Sequence, residues 1–361
     1  MARRSKKRSK RGRSPEAKLT DDLLVEILRR LPASAGAASS PTRTLAGFFY
    51  TSHNPDRSPV VARHFSNIAA GGRPFLDPSL WFLPSRNRYC LRVMDCCNGL
   101  LLGRSCVNPT APATFEYVVC SPATEKWAVV PGSPWSTNMP IARLGFEPAT
   151  SPHFHVFEFE EDEDGYVRGV QIYSSVTRAW SRRDSGWGFE FGICNDSGSA
   201  FLNSMLHVIT TEGVVAAVDV DGETRRTIPI PYDENCYPFM DLNAAFIDVA
   251  QGQLYLATKI FSNLSIWVLE DYNSEEWILK HSNMNSHIFR RDSFIYVSPC
   301  SLVSICPDGE TIFVIVGEDN TLMACKMDKR GLPVMRILGH DCHRPFLPYV
   351  PNFSESFAGF E

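Results

Sequence analysis

SPATEKWAVVP (121–131) and SSVTRAW (174–180) share one frame, a threonine three residues ahead of a tryptophan. DGETRRT (221–227) keeps Thr224 in that frame and puts Thr227 where the tryptophan stands; YNSEEW (272–277) keeps a hydroxyl at Ser274 ahead of Trp277. The hydroxyl positions 124, 177, 224 and 274 are 53, 47 and 50 residues apart. A short apolar run then ends at proline in two copies, WAVVP (127–131) and TIPIP (227–231). A unit recurring near every fifty residues is a supersecondary module that buries its faces on its neighbours.

The surrounding sequence fits that module. Short apolar runs recur at LAGFFY (45–50), GLLLG (99–103), HFHVFEFE (153–160), MLHVIT (205–210), QLYLAT (253–258) and TIFVIV (311–316). Turn clusters such as EDEDGY (161–166) and DVDGET (219–224) separate them. The 25 Pro and 23 Gly favour many short strands over long helices. The fold class is mainly β, a kelch-like β-propeller of four-stranded blades. Thr124, Trp127, Thr177, Trp180 and Trp277 are its blade-packing residues. Residues 45–361 divided by roughly fifty give about six blades, the terminal ones degenerate where the ring closes. A pair of β-sandwiches is the rival arrangement of the same strands.

Composition sets the class. Hydrophobic content of 44% and charged content of 21% fit a soluble globular chain with a sizeable core. The net charge of −4 is unevenly spread: Arg3, Arg4, Lys6, Lys7, Arg8, Lys10, Arg11 and Arg13 put 8 positive charges in the first thirteen residues. Taking those 8 from −4 leaves the remainder near −12, which argues against nucleic acid as the partner of the body. Residues 1–18 read as a disordered basic tail, an import signal or a solvated leader. The 11 cysteines include no C-x-x-C, and no apolar h-region follows the basic start. Reduced thiols in the nucleus and/or cytoplasm are expected, with the sequons at Asn195, Asn263 and Asn352 unmodified. No apolar run approaches the length of a membrane span, so no membrane partner is expected.

Residues 19–32, LTDDLLVEILRRLP, form an amphipathic helix. Thr20 caps it, Asp21 and Asp22 face the positive end of its dipole, and Pro32 ends it. Leu23, Leu24, Ile27, Leu28 and Leu31 share one stripe. So short a helix is marginal alone and must pack on its own domain or in a partner's groove. Residues 33–44, ASAGAASSPTRT, read as a linker and residues 45–361 as the β domain.

The helix resembles the start of an F-box in its Leu19, acid pair, Leu23-Leu24, Ile27-Leu28 and closing Leu31-Pro32, with Thr20 where proline is usual. LAGFFYTS (45–52), DCCNGLLL (95–102), SPATEKWAVVP (121–131) and SPHFHVFEFEEDEDG (151–165) are similar to the F-box-associated region of large plant F-box families. The resemblance implies a substrate-recognition adaptor of an SCF-type ubiquitin ligase. Leu19, Leu23, Leu24, Ile27, Leu28, Leu31 and Pro32 would bind the Skp-family adaptor, and the β domain would hold a protein target. The chain departs from the family after Pro32, where the second and third F-box helices are missing. A lone helix buries less apolar area, so weakened adaptor binding is expected. The alternative is a degenerate F-box protein, a ligase-uncoupled binding module.

No catalytic constellation is legible, and no cofactor or metal is expected. His153 and His155 share a strand face without a third ligand. His340, Asp341, Cys342 and His343 fit no zinc spacing. The six acids from Glu158 to Asp164 lack calcium-loop spacing and read as a charged hairpin tip. Cys96 and Cys97 read as structural thiols. The loop aromatics Trp135, Trp187 and Phe189 are the binding candidates, because loops carry recognition.

Overall fold

The computed structural model describes residues 44–68, 76–106, 114–136, 141–184, 191–194, 197–231, 242, 245–260, 263–282, 300–327 and 334–354. The tail, the helix at 19–32 and the linker up to residue 43 lie outside the described residues.

Five antiparallel four-stranded sheets follow one another along the chain. Blade 1 is β3 (Arg92–Cys97), β4 (Leu100–Cys106), β5 (Phe115–Ser121) and β6 (Lys126–Pro131). Blade 2 is β7 (Ile141–Phe146), β8 (Phe154–Glu161), β9 (Val167–Ser174) and β10 (Ala179–Asp184). Blade 3 is β11 (Ser199–Leu202), β12 (Met205–Ile209), β13 (Val214–Asp219) and β14 (Thr224–Pro229). Blade 4 is β15 (Phe246–Ala250), β16 (Gln253–Ile260), β17 (Asn263–Leu269) and β18 (Ile278–His281). Blade 5 is β19 (Cys300–Ile305), β20 (Thr311–Val316), β21 (Thr321–Lys326) and β22 (Val334–Ile337).

Blade 6 joins the two ends of the described chain. β1 (Gly47–His53) pairs on one side with β2 (Val61–Asn67) and on the other with β23 (Cys342–Tyr349). The first strands of the blades form the inner ring. β3 touches β7, β11 touches β7 and β15, β15 touches β19, and β23 touches both β19 and β3. The protein is therefore a closed six-blade β-propeller. The degenerate ends foreseen as two blades are one three-stranded sheet, and the other five blades are complete.

The apolar runs are continuous because the strands that carry them are buried on both faces. In β4, Leu100 and Leu102 pack toward blade 2, while Leu101 packs toward blade 6. In β16, Leu254 and Leu256 face blade 3, while Tyr255 and Ala257 face blade 5. In β20, Ile312 and Val314 face blade 4, while Phe313 and Ile315 face blade 6. The core is thus divided into six clusters, one at each blade junction.

Polar groups lock the ring where apolar contact alone leaves backbone unsatisfied. Asp95 on β3 accepts from the next blade's Leu144 N–H at 2.7 Å and from its own neighbour Cys96 N–H at 2.8 Å. Asp248 on β15 repeats the arrangement with Ile305 N–H at 3.1 Å and Val249 N–H at 2.8 Å, adding the Ser304 hydroxyl at 3.3 Å. Burial raises the pKa of both carboxyls, that of Asp248 to about 6.

Among the described residues blade 6 has three strands, and Arg63 on its outer strand β2 ties it to the chain that follows. Its guanidinium donates to Pro78 O at 3.2 Å, Ser79 O at 3.1 Å, Arg88 O at 2.9 Å and Leu91 O at 2.8 Å. These bonds strap residues 78–91, with the short helix α1 (Ser85–Cys90), across the seam with blade 1, where Leu80 and Leu83 enter the junction core. Nothing of this strap is legible in the repeat.

Asp248→Ala leaves the Ile305 and Val249 N–H groups without their carboxylate acceptor. It is expected to lower the unfolding free energy by about 2 kcal/mol, read from urea midpoints at neutral pH.

Candidate recognition surface

The junction of blades 1 and 2 is tied from its core to its rim. Trp180 is the second residue of β10, and its indole N–H donates to Pro131 O at the end of β6, at 2.8 Å. Its ring packs against Tyr173 and Tyr117, with centroids 5.6 Å and 6.2 Å away. Deeper in the junction, the Tyr117 hydroxyl donates to the buried Glu158 carboxylate on β8 at 2.5 Å. Burial raises the Glu158 pKa, and bonds from Ser136 and Tyr117 partly offset that. Arg104 adds positive charge nearby and lies 3.9 Å over the Phe115 ring.

The connection leaving β6 is fastened to the same wall. Ser133 is buried and its hydroxyl donates to Gln171 Oε1 on β9. Ser133 Oγ also accepts from Trp135 N–H at 3.2 Å, and Ser136 N–H closes the turn on Ser133 O at 3.2 Å. With Ser136 bonded to Glu158, the turn is pinned on both sides of Trp135, whose side chain stands 45% exposed.

Carboxylates surround this rim. Glu158 continues along β8 to Glu160, one side-chain period or about 7 Å further. Arg182, paired across the sheet with Gln171, bridges Glu160 at 3.1 Å and Asp184 at 3.0 Å. At the β8–β9 tip, Asp162 is taken by Arg168 at 2.5 Å, and the Tyr166 N–H leads in holding its pKa below the usual carboxylate range. Among the described residues, no ion pair reaches Glu161, Glu163 or Asp164. Glu161 is paired with Val167, whose side chain packs in the blade 2–3 cluster, so the tip's unpaired carboxylates belong to the blade 3 side of the sheet.

The other repeat residues sit as follows. Trp277 precedes β18, and its indole N–H donates to Pro229 O of blade 3 at 3.0 Å, the same bond one blade pair further on. The acceptor is Pro229, not Pro231: a bulge between Ala217 and Val218 shifts β14, so Thr227 lies mid-strand opposite Ala216. Trp127 packs against the blade 6–1 core, and at the same junction Ala123 N–H donates to the Tyr349 hydroxyl at 3.1 Å. Thr124 and Thr224 are half-buried with hydroxyl oxygens lacking a partner, while Thr177 is exposed in the β9–β10 turn. Trp187, Phe189 and the adaptor-binding set Leu19, Leu23, Leu24, Ile27, Leu28, Leu31 and Pro32 lie outside the described residues.

Charge alone groups Glu158 with the hairpin tip, but the residue is only 1% exposed and sits mid-strand in β8. The available signal was its place inside the apolar run HVFEFE. His207 interrupts MLHVIT in the same way. Its Nδ1 lies 3.2 Å from Ala200 O and its Nε2 2.8 Å from the Tyr272 hydroxyl of blade 4. Cys96 is half-buried, and burial with Asp95 pushes its thiol pKa well up, which suits a structural thiol. The closing strand buries Cys342, whose thiol is likewise pushed up to about 11. His153 and His155 form no cluster of three or more metal-capable side chains, and none exists among the described residues.

No family model and no curated protein matches the chain. Three solved structures illustrate its likenesses. A puromycin-hydrolyzing peptidase of Mycobacterium tuberculosis is 10% identical over 68% of this chain and 37% of its own, with a TM-score of 0.40. The β-propeller domain of Cps50 (Swd1) from Myceliophteria thermophila is 9% identical over 69% of this chain and 85% of its own, at 0.36. The WD40 domain of Toxoplasma gondii coronin is 10% identical over 70% of this chain and 59% of its own, also at 0.36. Among the described residues, no helix is long and apolar enough to cross a membrane.

Trp180→Phe removes one indole bond and is expected to cost about 1 kcal/mol, whereas Thr177→Ala should change the urea midpoint little. Burial pushes the His207 pKa down to about 4, so only the unfolded chain takes up its proton between the ordinary value of 6.5 and 4. The stability it contributes is complete above pH 6.5 and lost toward pH 4, on the order of 3 kcal/mol. His207→Gln should flatten that acid limb in unfolding curves compared at pH 7 and pH 5.

Proposed function

We propose that the chain is a non-enzymatic receptor whose propeller binds a protein target. In the finer reading it serves an SCF-type ubiquitin ligase as its substrate-recognition adaptor. The observation that carries the receptor reading is the blade 1–2 rim, where a pinned turn holds Trp135 exposed. Rigid, exposed aromatics of this kind anchor protein interfaces. The ligase reading rests on the F-box-like pattern from Leu19 to Pro32.

The second reading, a ligase-uncoupled binding module, is favoured by the sequence after Pro32, where the family's second and third helices have no counterpart. Under the first reading the protein works in the nucleus and/or cytoplasm, where the ligase operates.

Co-purification of the full chain with a Skp-family adaptor separates the two. The ligase reading predicts that the wild type retains the adaptor and that Leu23→Asp with Ile27→Asp weakens retention by about tenfold or more. Retention unchanged in that variant removes the helix from the interface. An adaptor absent from the wild type, with target capture intact, selects the uncoupled module.

A further inference from the structure

We infer that the seam closing the ring is a proton-sensitive clasp: when His64 takes up a proton in mild acid, the β1–β2 hairpin loosens its hold on β23. The inference concerns how closure is regulated and does not rest on the receptor reading.

Among the described residues, β1 and β23 are the one pair of bonded strands that are not consecutive in the chain, so no short turn holds them together. A cluster of polar contacts stands in for that turn. It fastens the loop after β1 to the chain entering β23. His53 N–H donates to Asp341 O at 2.8 Å, Asn54 Nδ2 donates to the Asp341 carboxylate at 3.3 Å, and the Arg57 guanidinium pairs with the same carboxylate. Arg57 also donates to the Ser52 hydroxyl at 3.5 Å, and Ser52 Oγ lies 2.7 Å from His64 Nε2 on β2. Ser52 is 2% exposed and sits opposite Cys342 of β23. One chain of contacts thus runs from the imidazole through Ser52 and Arg57 to Asp341.

That chain suits a neutral imidazole. A guanidinium only donates, so Ser52 Oγ accepts from Arg57 and gives its own proton to His64 Nε2. A protonated imidazole carries hydrogen on both nitrogens. Nε2 then ceases to accept, the buried Ser52 hydroxyl loses that acceptor, and the new charge faces Arg57. Asp341 attracts the proton, but its carboxylate is already engaged by Arg57 and Asn54. Tyr50 stacks on the ring with centroids 5.1 Å apart, and the neighbouring strand adds the Cys342 thiol, kept neutral by a pKa near 11. Blade 5 brings apolar Leu322 and Leu338 to this side, while the His340 ring lies 3.1 Å from Glu318 O. His53 and His343 belong to the opposite face of the sheet. Burial first, and Arg57 second, hold the His64 pKa below its ordinary 6.5. A hairpin released from the seam regains the ordinary value, so His64 stabilises closure fully above pH 6.5 and progressively less as pH falls.

The test is hydrogen exchange of the full chain at pH 7.5 and pH 5.5, read by mass spectrometry and corrected for the intrinsic pH dependence of exchange. On acidification, protection of β1 and β23 should fall roughly threefold further than protection of β4 in blade 1. His64→Gln keeps an oxygen that accepts from Ser52 and cannot titrate. It should retain the seam's protection at pH 7.5 and abolish the extra loss at pH 5.5. Arg57→Gln should lower protection of the seam at both pH values and shrink the extra loss, because the like charge facing the imidazole is gone. Proton NMR titration of the His64 imidazole in the wild type reads the same step without a variant, and its midpoint should lie below 6.5. An equal fall in β1, β23 and β4, an extra loss that persists in His64→Gln, or a His64 midpoint at or above 6.5 overturns the inference.

Discussion

The pairing of β23 with β1 is the contact on which the rest of this fold depends. It joins strands nearly three hundred residues apart and supplies the inner strand of blade 6, which touches the inner strands on both sides. Without it, blade 6 keeps only β1 and β2, and the clusters around Phe48 and around Phe49 and Tyr349 lose a wall. Closure also removes two open sheet edges from the ring, which otherwise invite pairing with other chains.

Given closure, each junction is an apolar slab, and polar bonds fasten several of them further. The fastenings are not uniform. Indole-to-proline bonds hold blades 1 and 2 and blades 3 and 4, and inner-ring aspartates hold blades 1 and 2 and blades 4 and 5. Blades 1 and 2 alone combine both kinds with a buried Glu158–Tyr117 pair. The most heavily fastened junction is the one that presents Trp135, as expected if rigidity there serves binding and not only stability.

Much of the architecture was legible in the sequence, and the reason is geometric. Strands buried on both faces read as uninterrupted apolar runs, and five of the six runs became the second strands of the five complete blades. The sixth, around Phe48 and Phe49, became the middle strand of the closing blade. The Thr-x-x-Trp frame located the outer hairpins, because an indole long enough to reach the previous blade must start at a fixed point on the outer strand. The frame failed where a bulge absorbed residues in β14 and left Thr227 out of register.

Features that depend on distant pairing were not legible. The merging of both ends into one blade, the Arg63 strap and the burial of Glu158 each require knowing which strand lies next door. The direct test of closure is a cross-strand disulfide. Ser52 and Cys342 face each other across β1 and β23, beside the bonded pair His53 N–H to Asp341 O at 2.8 Å; opposed positions of that kind bring Cβ atoms within disulfide range. Under mild oxidation, peptide mapping of Ser52→Cys should show the introduced thiol joined to Cys342, with a raised unfolding midpoint. An introduced thiol that stays reduced, or that joins another cysteine, contradicts the closed ring.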